Sequence, residues 1–143
     1  MRMFQYTVPG IPRSKKNSSK IINIKGRPMI LPSDAYKKFE ALAGPYLQPK
    51  PEKPIDYPVE ITCIYLMPLN KDGSSPQKKL DLVNLLGATH DILVKHGVLA
   101  DDNAKIVVSV DGSRVFYTKE DPGTIITITE IEEDAKETRR NRR

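Results

Sequence analysis

Residues 80–103 read LDLVNLLGATHDILVKHGVLADDN, and the rest of the chain is best read outward from them. From Leu82 onward, Leu85, Leu86, Thr89, Ile92, Leu93 and His96 recur at the three- and four-residue intervals that line one face of an α-helix, while Asn84, Ala88, Asp91 and Lys95 fall on another face. Gly97 supplies a C-terminal stop. Asp81 opens this helix, Asp91 lies within it, and Asp101 and Asp102 follow its end. Two readings of these acids stand side by side. In one, Asp81 caps the helix, Asp101-Asp102-Asn103 is an ordinary turn before a strand, and Asp91 is an exposed helical acid. In the other, carboxylates from both ends of the unit meet around a metal ion. A helix of about 14 residues travels about 20 Å, so Asp102 reaches Asp81 only if the connection after Gly97 folds back along the helix. Four or five extended residues span about 15 Å, which makes that return feasible without requiring it.

On the N-terminal side, Met3 to Val8 alternates polar and apolar residues until Pro9-Gly10-Ile11-Pro12, a strand stopped by a rigid turn. IINIKGRPMIL places β-branched runs on either side of Lys25-Gly26 and reads as a hairpin. Ser33 is a suitable N-cap for a helix from Asp34 to Leu47, with Ala35, Phe39, Leu42 and Ala43 on its buried face. QPKPEKPIDYP, rich in proline and charge, is a surface connection. Val59 to Leu66 is a strand whose later half is buried on both faces, making Cys63 a small core residue rather than a nucleophile. MPLNKDGSSPQKK is a polar loop leading into the central helix. After Asn103, Ile106–Tyr117 and Thr124–Glu130 read as two strands joined through Asp121-Pro122-Gly123. Tyr6, Phe39 and Phe116 are assigned to the core. The expected architecture is α+β: one small domain over residues 1–131, with a mixed sheet of four to five strands and two principal helices, followed by a charged, disordered tail over 132–143.

Composition narrows the function. At 143 residues the chain is large enough for one hydrophobic core without staples. No apolar run approaches the roughly 18 to 20 residues needed to span a bilayer. The N-terminus lacks a signal-peptide pattern, so a cytoplasmic location is expected. One cysteine and two histidines exclude a disulfide framework and disfavour zinc, leaving oxygen ligands for any metal. The net charge of +5 is unevenly spread. Arg13, Lys15, Lys16, Lys20, Lys25 and Arg27 follow one another without an acid between them, and Arg139, Arg140, Arg142 and Arg143 close the chain. Basic clusters flanking an acidic centre suit a polyanion held around a carboxylate site, although a solvated loop and tail would look the same. Low aromatic content argues against a single-strand binder.

The run Asp81-Leu82-Val83-Asn84, then Asp91-Ile92-Leu93, Gly97-Val98-Leu99 and Asp101-Asp102-Asn103 resembles the RusA family of Holliday junction resolvases, whose signature is D-x-D-N followed by D-x-L, a glycine and a D-D pair. FQYTVPGIP with Ser14 and Asn17, and GRPMILPSDAYKKF, extend the resemblance over about Phe4 to Glu130. The resemblance implies a Mg²⁺-dependent endonuclease, with Mn²⁺ as a substitute ion. It would act as a homodimer that nicks opposing strands of a four-way junction in the cytoplasm of a bacterial or phage-infected cell. It implies Asp81 and Asp102 as metal ligands, Asp101 as a supporting ligand, and a catalytic or structural role for Asp91. The DNA contacts expected are Arg13, Lys15, Lys16, Asn17, Lys20, Arg27 and Lys79. Two departures stand out: Val83 replaces the second aspartate of D-x-D-N, and Gly87 replaces a lysine found in many members. Lys78, Lys79 or Lys105 could compensate for the lysine, and a catalytically impaired DNA-binding protein, or a nuclease acting on other branched DNA, is the alternative outcome.

Overall fold

A computed structural model describes residues 2–15, 19–32, 34–77 and 80–132, with the backbone alone for 19–22, 24 and 29–32. The elements run β1 (Met3–Pro9), β2 (Ser19–Ile24), β3 (Arg27–Pro32), α1 (Asp34–Ala43), a 3₁₀ turn (Gly44–Tyr46), β4 (Val59–Pro68), α2 (Leu82–Lys95), β5 (Val107–Ser109), β6 (Arg114–Thr118) and β7 (Gly123–Glu130). One mixed sheet has the order β1-β7-β4-β5, with β6 on the same side of β4 as β5. β7 lies antiparallel between β1 and β4, whereas β5 and β6 run parallel to β4. The fold is thus the expected α+β domain, with a mixed sheet of five strands and two helices, and the β2–β3 hairpin forms a separate two-stranded sheet. No described helix is long and apolar enough to cross a membrane.

The helices cover one face of the sheet. Along β4, Val59, Ile61, Cys63, Tyr65 and Met67 are buried while the intervening residues are half-buried, the period-2 pattern of a sheet packed on one side. This corrects the expectation that the later half of β4 is buried on both faces. Buried residues of β4, β7 and β1 form one core with Leu85, Leu86, Ala88, Ile92 and Leu93 of α2 and Tyr36 and Ala43 of α1. Ala88 therefore belongs to the packed side of α2, not the open side. The Tyr65 hydroxyl lies 2.6 Å from Thr89 Oγ1, which donates to the Leu85 carbonyl, so a hydrogen-bonded pair inside the core ties α2 to β4.

Three further expectations are adjusted. The helix over 34–47 ends at Ala43, because Pro45 has no N–H to continue the ladder and disfavours α geometry at Gly44; the chain tightens into the 3₁₀ turn instead. The single strand over 106–117 is divided into β5 and β6 by a turn at Val110–Ser113, where Gly112 adopts φ +84°. The β4 backbone is satisfied across this gap by a side chain, since the Cys63 N–H donates to Ser113 Oγ at 3.0 Å, while Thr62 Oγ1 donates to the Asp111 carbonyl at 2.8 Å. Phe116, on that outer strand, is 42% exposed rather than in the core. The hairpin is as read: Lys25 and Gly26 both take positive φ, at 51° and 76°, the two-residue turn that matches strand twist.

Candidate active site

The site is built from the two ends of α2. Asp81 sits at the N-cap in extended geometry, and its Oδ1 accepts the Val83 N–H at 2.9 Å, satisfying one of the free donors of the first turn. Its side chain is exposed, and among the described residues no lysine or arginine pairs with it. Val83, Gly87 and Asp91 follow one another at one-turn intervals on the outer side of the helix. Val83 is 73% exposed, and a side chain at 87 would project into open space.

At the other end the helix closes in a Schellman motif. Gly97, at φ +78°, donates to the Val94 carbonyl and Val98 to the Leu93 carbonyl at 2.9 Å. The proline-rich connection contributes Ile55, which is 1% exposed; its N–H donates to the Val98 carbonyl and its carbonyl accepts from Ala100. This short parallel bridge turns the chain before the acidic loop. Within that loop Asp101 Oδ1 accepts the Asp102 N–H at 2.8 Å and Oδ2 accepts from Asn103 Nδ2 at 3.0 Å. These bonds, first that from Asn103 and then that from the Asp102 backbone, hold the Asp101 carboxyl below its usual range. Asn103 in turn caps the next turn through Oδ1, which accepts the Lys105 N–H. Asp101 therefore spends both oxygens on the loop, and Asp102 is the acid it presents outward.

The chain does turn back at the helix end, where the Val98 and Leu99 N–H groups both donate to the Leu93 carbonyl. Asp102 and Asp91 are the two charges bearing on His90, Asp102 the more strongly, although Asp91 is the chain neighbour. His90 is 9% exposed and its Nε2 is buried without a hydrogen-bond partner. Burial outweighs both acids and keeps the ring's pKa below its ordinary value, so the imidazole is neutral at neutral pH.

On the side of α2 that meets α1, charges are matched. Lys15 Nζ lies 3.0 Å from Asp91 Oδ2 and 5.5 Å from the centre of the Tyr36 ring. The Tyr36 hydroxyl donates to Glu40 Oε2 at 3.1 Å, Lys95 pairs with Glu40 Oε1, and His96 Nε2 lies 2.8 Å from the Glu40 carbonyl. Burial raises the Glu40 carboxyl, but the hydrogen bonds from Lys95 and Tyr36 outweigh it and leave the group below its ordinary value.

The predicted site residues are therefore distributed as follows. Asp81 stands at the helix start, Asp91 lies within α2, Asp101 shapes the loop beyond the helix and Asp102 is exposed on that loop. Among the described residues no group of three or more His, Cys, Asp or Glu side chains is gathered so as to hold a metal ion. Of the predicted DNA contacts, Arg13 is half-buried, Lys15 is engaged with Asp91, and Arg27 is exposed at the hairpin. Lys16, Asn17 and Lys79, together with Lys78, Ser33 and the tail over 133–143, lie outside the described residues, as does the Lys20 side chain. His90, to which the sequence reading gives no role, is buried in the fold. Its signal was present: it follows Leu86 by four and precedes Leu93 by three, on the packed stripe. Cys63 is confirmed as core, fully buried with its thiol pushed up to about 11.

Residues 9–129 match the family described as "Endodeoxyribonuclease RusA". No curated protein matches the chain.

Proposed function

The chain belongs to the RusA endodeoxyribonuclease family, and from that premise we propose that it is a structure-selective endonuclease resolving four-way DNA junctions by paired phosphodiester hydrolysis. The observation that supports this reading most is the turn of the chain after α2, where the Val98 and Leu99 N–H groups donate to the Leu93 carbonyl and start the acidic loop back from the end of the helix that Asp81 opens. Asp81 and Asp102 are exposed, hard oxygen donors on two separate segments, and among the described residues neither pairs with a lysine or arginine. Such a pair fits Mg²⁺, or Mn²⁺ in its place, because these ions take few carboxylates and complete their shell with water and phosphate oxygens. When bound, the ion supplies Lewis-acid polarisation of the scissile phosphate and activation of the attacking water.

The chain's own residues do the rest. Asp81 is oriented by the Val83 N–H, so one oxygen is fixed by the helix and the other is aimed outward. Asp101 holds the loop through both of its oxygens and thereby sets where Asp102 emerges. Asp91 pairs with Lys15 and holds that ammonium on α2, the helix that Asp81 opens, as a candidate contact for a backbone phosphate. The hairpin arginine, Arg27, and Arg13 extend the positive surface, with Lys16, Asn17, Lys20 and Lys79 assigned to it from sequence alone. A homodimer would place two such sites on opposing strands.

A second reading is favoured by one observation: the residue beside Asp81 on the exposed first turn of α2 is Val83, which cannot ligate a metal. In that reading the protein binds branched DNA without cutting it. A labelled four-way junction incubated with protein, with and without Mg²⁺ or Mn²⁺, separates the two. Symmetric paired nicks establish the resolvase, tight binding without cleavage in either metal establishes the binder, and equal cleavage of linear duplex replaces both with a less selective nuclease.

A further inference from the structure

α1 packs through a different face from the one its spacing predicts. Of Ala35, Phe39, Leu42 and Ala43, only Ala43 is buried; Phe39 is half-buried, Ala35 is exposed and Leu42 is 59% exposed. The helix meets the core through Tyr36 and Ala43 instead. Its second apolar stripe faces the turn that ends β1, where Pro9, Gly10 and Ile11 form the other wall of a groove of about 260 Å³. Ile11 is 37% exposed, so both walls present apolar side chains to solvent. Apolar surface gathered in a concavity and edged by charge marks a binding site, whereas single exposed apolar residues do not.

The groove is fixed before anything binds. Gly10, at φ +104°, donates its N–H to the Pro122 carbonyl at 3.2 Å, which ties one wall to the residue before β7, and Phe39 in the other wall is packed against the core. Among the described residues the only charged groups lining the groove are Arg13 and Lys38, and neither forms an ion pair there. An apolar floor between two cations complements an acidic segment that carries a bulky apolar side chain. A second copy docked face to face would set these cations against their own equivalents. A DNA strand would find Ile11 and Leu42 where its bases need rings to stack on or polar groups to pair with.

We propose that the groove between α1 and the turn at Pro9–Ile11 docks an acidic peptide segment of a partner protein. A bulky apolar side chain of that segment enters between Ile11, Phe39 and Leu42, and its flanking carboxylates pair with Arg13 and Lys38. The apolar anchor supplies the affinity, while the cations at the rim select acidic partners and speed the encounter. Because the walls are held by the sheet and the core, little of the chain has to be ordered on docking.

The test uses the full chain and a panel of fluorescein-labelled peptides in which Leu, Ile, Phe or Trp stands between Asp and Glu residues. Matched peptides carry Asn and Gln in place of the acids, or Ala at the centre. Fluorescence anisotropy at low salt reads affinity, with thermal melting beside it. An acidic member of the panel is expected to bind, with both kinds of matched peptide weaker by about 10-fold or more. Leu42→Ser is expected to weaken that binding about 10-fold. Lys38→Glu should weaken it by a similar factor that shrinks as salt is added, and both variants should melt as the wild type does. Should either variant not fold, the ¹H–¹⁵N spectrum of the wild type decides, because the peptide must then shift the resonances of Ile11, Lys38 and Leu42. The proposal is overturned if no acidic peptide binds, if binding survives both substitutions, or if the shifted resonances lie elsewhere. If Leu42→Ser instead lowers affinity for a labelled four-way junction, the groove is a DNA contact. If it turns a dimer into a monomer in sedimentation, the groove is a contact between copies, and either result replaces the peptide.

Discussion

The two flanks of α2 carry the same kinds of side chain and use them differently. On the flank facing α1, charges meet partners: Asp91 with Lys15, Glu40 with Lys95 and Tyr36, and the His96 ring with the Glu40 carbonyl. At the helix start and in the acidic loop, which the proposed function assigns to one flank, Asp81 and Asp101 are met by backbone and amide N–H groups, and among the described residues no lysine or arginine pairs with Asp81, Asp101 or Asp102. Matched charges dock one helix against another and are complete within the chain. Exposed carboxylates without a cation are hydrated until a partner arrives, and under the function proposed above that partner is a divalent ion carrying a DNA phosphate.

The contrast breaks most sharply at Asp102. Asp102→Asn removes the charge and keeps the shape, so junction cleavage is expected to fall about 100-fold or more while the melting temperature stays where it was. Single-turnover cleavage at saturating protein, with a thermal melt beside it, measures both. A variant that cuts at the wild-type rate would move Asp102 to the structural flank and dissolve the distinction.

Glu40 tests the other flank and should show the converse, a loss of stability with little direct effect on cleavage. Its carboxyl sits below the ordinary value of 4.5 because hydrogen bonds from Lys95 and Tyr36 outweigh its burial. A depressed carboxyl contributes stability that is fully present above the unfolded-state value and is lost as pH falls through the folded one. Glu40→Gln is therefore expected to be less stable by about 1 kcal/mol at neutral pH, allowing for solvent screening. The gap to the wild type should narrow as pH drops below 4.5. Urea unfolding at a series of pH values reads this directly, and a constant gap would show that the carboxylate charge is not what couples the helices.

Much of this was legible in the sequence, for identifiable reasons. Period-3.6 and period-2 patterns located both helices and the sheet strands because packing on one face repeats at fixed intervals. Gly97 announced the helix end, and Lys25-Gly26 the hairpin turn. What sequence could not carry is contact between segments remote in the chain. Ile55 looked like part of a charged surface connection, yet it pairs with the segment around Leu99 and so directs the acidic loop. Lys15 looked like one more basic loop residue, yet it is seated on Asp91 and over Tyr36. The break between β5 and β6 was hidden for the same reason: Ser113 lies inside the run over 106–117 that reads as one strand, and only the fold reveals that its hydroxyl replaces a strand partner for Cys63.

Val83→Asp sharpens the contrast in the opposite direction, by adding a charge to the unmatched flank. An acid in the first turn interacts favourably with the helix N-terminus, and position 83 is exposed, so the variant should gain about 0.5 kcal/mol of stability at low salt. If Asp81 is a metal ligand, the same substitution supplies a second carboxylate beside it and should tighten Mn²⁺ binding. A more stable protein with unchanged Mn²⁺ affinity would leave Asp81 as a helix cap and nothing more.

The smallest effect falls at the border between the flanks, where Lys15 belongs to the matched side by its ion pair and to the DNA-facing surface by its exposure. Its side chain is 44% exposed and that of Asp91 43%, so a double-mutant cycle with Lys15→Ala and Asp91→Asn should give a coupling of only a few tenths of a kcal/mol. Stability alone therefore cannot say what the pair is for, but salt dependence can. If Lys15 reaches a phosphate, Lys15→Ala should reduce the slope of log K against log salt for junction binding by about 0.9. Asp91→Asn, which keeps the ammonium and frees it, should leave that slope in place or steepen it. An identical slope in wild type and Lys15→Ala would assign the lysine wholly to helix docking, and the boundary between the two flanks would then pass between Lys15 and Asp102.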